Sequence, residues 1–200
     1  MAELQNHRVT HHREKLLHAI LFFISHTRFC HTLKLFKLLN FLDFEHYRQT
    51  GKSVTDMPYR ALAQGPVPMA LYGEVDNPKP DMGRLVSFMP IHDDLTGELK
   101  RRDIKARVGA TFNKRLFSKR ELEIMDRLAE FFKDTPGNDM SNFSHGRKLP
   151  WTKIFRKGAG NKELIPYELA LECDPIIGSM PTIDKDELEY RRNLFADLQS

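Results

Sequence analysis

Thr32-Leu-Lys-Leu-Phe-Lys-Leu-Leu-Asn-Phe-Leu-Asp-Phe-Glu-His-Tyr-Arg48 is the stretch on which the fold turns. Leu35, Leu38, Leu39 and Leu42 recur at the three- and four-residue spacing of one helix face. Phe36, Phe41 and Phe44 add bulk that a single face does not hold, so this helix needs neighbours on more than one side. Just upstream, Leu16, Leu17, Ile20, Leu21 and Ile24, widened by Phe22 and Phe23, predict a largely buried helix over 13–27 that packs on it. Thr50-Gly51-Lys52-Ser53 ends the second helix, because glycine accepts the left-handed conformation that commonly closes helices.

Farther along, a turn leads to Tyr59-Arg60-Ala61-Leu62. Gly65-Pro66-Val67-Pro68 reads as a stiff, shaped loop, and Pro68 suits the first turn of a short helix through Tyr72. Residues 76–83, with two prolines and a glycine, are the most linker-like stretch and mark a subdomain border. Residues 85–91 predict one strand. Ile104, Ala106 and Val108, alternating with Asp103, Lys105 and Arg107, predict a half-buried second strand, with Thr96-Gly97 turning between them. Ser118-Lys-Arg-Glu121 is a capping box that opens a helix faced by Leu122, Met125, Leu128, Ala129 and Phe132. Residues 151–155 and 165–171 read as strands, and 184–198 as a terminal helix. The expected fold is mainly α, of the α+β kind: a compact helical domain with a small antiparallel β-hairpin in its second half. It is one domain over 1–200, with 1–78 as its helical part and 79–200 as an extension of hairpin plus helices.

Composition agrees with a globular chain: 200 residues, 40% of them hydrophobic and 10% aromatic, suffice for one substantial core. The longest apolar run, residues 16–24, carries His18 and falls short of the ~18 residues a spanning helix needs. Arg28 and Phe29 stand where a signal peptide would have small cleavage-site residues, so export is not expected. Cys30 and Cys173 form no C-x-x-C pair and support no disulfide framework, which suits a reduced cytoplasm. Charge is uneven: 100–120 holds nine bases and one acid, whereas 161–200 holds nine acids and four bases. Such a dipolar chain can steer a charged protein, fold its halves together or present a phosphate-binding patch.

Chemical motifs are weak. Seven of nine histidines fall in the first 46 residues, and His26, Cys30 and His31 are the densest set of soft ligands. A structural zinc site assembles four ligands, and the second pair is missing here, so no metal is expected. His92-Asp93-Asp94 reads as solvated turn acids. Asp43, Glu45 and His46 close the second helix, where Asp43 can approach Tyr47 at i+4 and form a polar pocket or an acid/base pair. There is no G-x-S-x-G, glycine-rich phosphate loop or H-E-x-x-H. The expectation is a chain that is not an enzyme and takes no cofactor. Nucleic acid is a poor fit to 100–120, where aromatic residues are sparse.

One run carries more. Lys37-Leu-Leu-Asn-Phe-Leu-Asp43-Phe-Glu-His-Tyr47-Arg-Gln-Thr-Gly51-Lys-Ser-Val-Thr55, followed by Tyr59, Ala61-Leu62, Gly65-Pro-Val-Pro68 and Leu71-Tyr72, resembles the Panacea domain of SocA-like antitoxins and phage-associated proteins. The 117–126 helix, Ser144-His145, Pro150-Trp151 and residues 165–171 resemble longer antitoxin members. The resemblance implies a mostly helical domain that neutralises a toxin encoded beside it by direct protein binding, without catalysis, in a toxin–antitoxin or phage-defence setting. In the SocA-like branch it implies instead a proteolytic adaptor that delivers the toxin to an ATP-dependent protease. A nucleic-acid-binding regulator using 100–120 is the further alternative.

The family hands over no catalytic residues. Asp43, His46, Tyr47, Gly65, Pro66 and Val67 form the expected partner-facing surface, because stiff loops present side chains at low entropy cost. The opposed reading is that Gly65-Pro-Val-Pro68 braces the fold, with Tyr47 packed on it. Arg101, Arg102, Lys105 and Arg107 offer an alternative, basic contact face, and the acidic last 40 residues a third.

Overall fold

The computed structural model describes residues 2–145, 149–176, 178, 183–184, 186–190 and 193. Helix α1 (Ala2–His26) precedes α2 (Thr32–Thr50), and a first hairpin follows, of β1 (Tyr59–Leu62) and β2 (Gly65–Pro68). Short helices α3 (Met69–Glu74) and α4 (Pro80–Leu85) lead into a second hairpin, β3 (Val86–His92) and β4 (Leu99–Ala106). Helices α5 (Lys119–Phe131), α6 (Gly137–His145) and α7 (Pro150–Phe155) complete the helical layer, and a 3-10 turn spans Tyr167–Glu172. The fold is mainly α with two small antiparallel two-stranded sheets.

Helix α2 is the axis. Every residue from 34 to 49 is buried, polar ones included, because α1, α5, α6, β2 and the 3-10 turn surround it. A helix so enclosed has to satisfy its polar side chains internally, and among its described side chains the Asn40 Nδ2 is left buried without a hydrogen-bond partner. Lys34 donates from Nζ to the carbonyls of Arg28 (2.6 Å), Phe132 (2.8 Å) and Lys133 (3.2 Å), which closes the C-terminal end of α5 with a cation. Glu45 accepts from Arg48 and, at 3.0 Å, from Gln49. Gly51, at φ 72°, ends α2 in the left-handed region, as its sequence predicts.

The capping box at Ser118 and Glu121 forms in both directions, and Ile124, Met125, Leu128 and Ala129 are buried against the core. The outer ties are ionic. The Arg13 guanidinium grips Glu74 (2.7 Å) and Asp81 (2.8 Å), so α1 is clamped to α3 and α4. From Pro80 on, the stretch that composition marks as a linker is helix α4, held by this clamp.

Four local expectations are corrected. Gly65-Pro-Val-Pro68 is a strand, with Pro66 opposite Ala61 and Pro68 opposite Tyr59. It tolerates prolines because it is an edge: the other side of β1 is taken by Lys162 and Ile165, whose N–H groups donate to the carbonyls of Ala61 (2.7 Å) and Tyr59 (2.9 Å). Residues 151–155 form a helix, since Pro150 occupies its first turn, and Pro166 opens a 3-10 turn where a strand was expected over 165–171. Strand β4 ends at Ala106, so Ala106 and Val108 are exposed and only Ile104 of the expected apolar face is buried. Most of the expected terminal helix over 184–198 lies outside the described residues, although 186–190 are helical.

Candidate partner-binding surface

Asp43 stands on the inner side of α2, fully buried. Its Oδ1 accepts the N–H groups of Val54 (2.8 Å) and Thr55 (2.7 Å), and its Oδ2 accepts the hydroxyls of Thr55 and Tyr59 (2.7 Å). One carboxyl thereby folds the loop after Gly51 back onto the helix and fixes the start of β1. Burial pushes its pKa above the usual carboxylate range, while these four hydrogen bonds pull the other way. Asp43 does not pair with Tyr47. The Tyr47 ring stacks on Tyr167 with centroids 5.4 Å apart, and its hydroxyl lies 3.5 Å from Glu168.

His46 is buried and its Nδ1 is 2.7 Å from the carbonyl of Lys52, a contact in which the ring donates. Desolvation lowers its pKa. Gly65, Pro66 and Val67 are buried throughout β2. Beneath them Lys37, fully enclosed, donates to the carbonyl of Gln64, and Ser141 donates to the same oxygen at 3.2 Å. The structure therefore places Asp43, His46, Tyr47, Gly65, Pro66 and Val67 inside the fold instead of on a partner-facing surface. For Asp43, His46 and Tyr47 the physical reason is the enclosure of α2, since a polar side chain on a helix wrapped on all sides can only be inside; Gly65, Pro66 and Val67 are buried because β2 packs on that helix.

The basic face is different. Arg101, Lys105 and Arg107 are exposed on and just beyond β4, and Arg102 is half-buried. The Arg101 Nε donates to Asp103 (2.7 Å), which raises the arginine pKa; Arg102 pairs with Asp76, and Arg107 donates to the carbonyl of Gly83 (3.1 Å). Among the described residues Lys105 has no ion-pair partner. The four lie along one hairpin, but successive side chains of a strand alternate, so Arg101 and Lys105 share one face of β4 while Arg102 stands on the other, against Asp76.

Asp93 is a turn acid, accepting the N–H groups of Leu95 (3.0 Å) and Thr96 (3.1 Å), which lowers its pKa. Among the described residues no group of three or more His, Cys, Asp or Glu side chains is placed to hold a metal ion. Burial pushes the thiols of Cys30 and Cys173 up to about 11, away from the thiolate form. Lys34 and Lys37 were missed as structural residues. Their signal was present: two lysines three apart within an otherwise apolar helical run.

The family model described as "Antitoxin SocA-like, Panacea domain" matches residues 35–152, from within α2 to within α7 and over more than half of the chain. None of the curated proteins and none of the solved structures matches it.

Proposed function

The chain belongs to the SocA-like, Panacea-domain antitoxin family, and from that membership we propose that it neutralises a cognate protein toxin, encoded by an adjacent gene, by binding it directly. The match over 35–152 is the observation that carries this reading. In this account the chain makes and breaks no bonds. Supporting a binding role, the polar side chains of the family signature are spent on architecture: Asp43 holds the Val54–Tyr59 loop, His46 the Lys52 carbonyl and Lys37 the Gln64 carbonyl. What remains for recognition is the surface, where Arg101, Arg102, Lys105 and Arg107 gather on one hairpin.

No described helix is long and apolar enough to cross a membrane, and the place of action we propose is the cytoplasm. A preformed, basic face accelerates encounter with an acidic partner and sets orientation more than it sets affinity. The experiment is co-expression with the neighbouring reading frame in a host that lacks both. The frame alone arrests growth, and adding this chain restores it. A neighbour that is harmless alone, or equally toxic in the presence of this chain, contradicts the reading.

A further inference from the structure

We propose that the cleft between β4 and the α1–α2 connection is a docking groove for an extended, acidic segment of the partner protein, anchored there by an apolar side chain. The proposal rests on the antitoxin reading and adds to it where the partner sits and what chemistry it brings.

The cleft has a volume of about 740 Å³ and is bounded by the 29–33 turn, β4 and the start of α6. Two large apolar side chains stand exposed in its walls, Phe29 at 65% and Leu99 at 42%. Phe29 is the more telling. Its φ of 54° is a left-handed conformation that a bulky aromatic adopts only when held. The turn is held on both sides: the Arg28 N–H donates to the Lys133 carbonyl (2.8 Å), and the His31 N–H to the Phe29 carbonyl (3.0 Å). Backbone strain is thus maintained at a ring that the fold leaves in water.

Charge supplies the second requirement. Along β4 the wall carries Lys100, Arg101, Arg102 and Lys105 against the single acid Asp103, which is already engaged by Arg101. Among the described residues neither Lys100 nor Lys105 has an ion-pair partner. At the far end the His31 ring lies against Gly137, where an added Cβ would come within 2.4 Å of Cε1, and its Nδ1 is buried without a hydrogen-bond partner among the described residues.

The backbone limits how a segment can bind. Arg107 N–H donates to Leu85 (2.8 Å), and the antiparallel register continues from there, so alternate residues of β4 direct their amides away from β3. The His31–Asp103 bridge already closes that edge midway. Addition of a full strand is therefore blocked, and recognition falls to side chains: carboxylates toward Lys100 and Lys105, one apolar residue between Phe29 and Leu99. A nucleic acid fits less well. Phe29 is the one aromatic side chain besides His31 among the lining residues, too few for a stacking platform.

The test is calorimetric titration of the full chain with the purified product of the adjacent reading frame. Phe29→Gly relieves the strained φ while removing the ring, so its melting temperature rises or holds while affinity falls about tenfold or more. Lys100→Glu with Lys105→Glu lowers affinity by a similar factor and flattens its salt dependence, whereas the control Lys114→Glu with Lys119→Glu leaves affinity nearly unchanged. Unchanged affinity in both cleft variants overturns the groove and leaves the antitoxin reading standing. No binding by the wild-type chain overturns both. A single-stranded oligonucleotide that binds the wild type more tightly than the partner does, and loses affinity in the Lys100→Glu/Lys105→Glu variant, assigns the cleft to nucleic acid and overturns the proposal.

Discussion

Lys37 occupies the space that a side chain on Gly65 would need: a Cβ built on Gly65 lies 1.6 Å from the lysine Nζ. The glycine also sits at φ 114°, where L side chains are strained. The Gly-Pro-Val-Pro motif and Lys37, in the second turn of α2, are thus one device. The missing side chain lets the ammonium reach the Gln64 carbonyl at the hairpin turn.

Gly65→Ala is expected to destabilise the fold by ~2 kcal/mol or more, since backbone strain and overlap add. In a Lys37→Ala background the overlap is gone and only the strain remains, so the same substitution costs ~1 kcal/mol less. Urea denaturation of the four proteins in this cycle measures the coupling; additive costs would contradict the shared-space account.

Burial pushes the Lys37 pKa down to about 7, far below its value in an unfolded chain. Between pH 7 and the ordinary lysine range the unfolded state binds the extra proton, so stability rises with pH there, by up to ~1.4 kcal/mol per pH unit from this group. Below the folded pKa both states are protonated and the contribution is flat. Lys37→Met removes the titration, so the stability difference between wild type and variant changes across pH 7–10 and is constant below about pH 6. A difference that is flat throughout contradicts the assignment.

Asp43→Ala strands the N–H groups of Val54 and Thr55 and the Tyr59 hydroxyl in the interior, at a cost of ~3 kcal/mol or more. Asp43→Asn, which keeps one acceptor oxygen, costs less. Faster amide exchange confined to 53–59 in Asp43→Asn would locate the effect. Equal costs for the two variants would show that the hydrogen bonds are not what Asp43 supplies.

The Arg13 guanidinium holds the Asp81 carboxyl down at about 2. A carboxyl depressed by folding stabilises above its unfolded pKa and loses that contribution as pH falls through the folded one. Asp81 is 40% exposed, so the effect is screened to below ~1 kcal/mol. Thermal melts of Asp81→Asn should fall below wild type at pH 6 and converge with it near pH 2.

Much of this architecture is legible in the chain itself, for reasons that differ by element. Helices α2 and α5 declare themselves because apolar spacing, Gly51 and the Ser118–Glu121 box all point the same way. The β3–β4 hairpin follows from alternation and a glycine turn. The β1–β2 hairpin does not, because two prolines in four residues read as a loop unless the strand is known to lie at an edge, and that depends on residues 162–165 a hundred positions later. The short apolar run at 151–155 fits strand and helix equally, and Pro150 decided it. The candidate surface was harder still. Asp43, His46 and Tyr47 carry polar groups that serve a surface or an interior equally well, and what commits them to the interior comes from elsewhere in the chain: the 51–58 loop folded back on Asp43 and His46, and Tyr167 stacked on Tyr47. Phe29 gave no signal at all, since a left-handed aromatic is a property of the folded turn.

The central claim, that this chain acts by direct protein binding, is tested most directly by mixing it with the purified product of the adjacent gene and measuring mass by light scattering after size exclusion, with the toxin's own activity followed in parallel. The account predicts a stable stoichiometric complex in which that activity is silenced without any other component. Two separate peaks, with the neighbour's activity undiminished at saturating amounts of this chain, would contradict it.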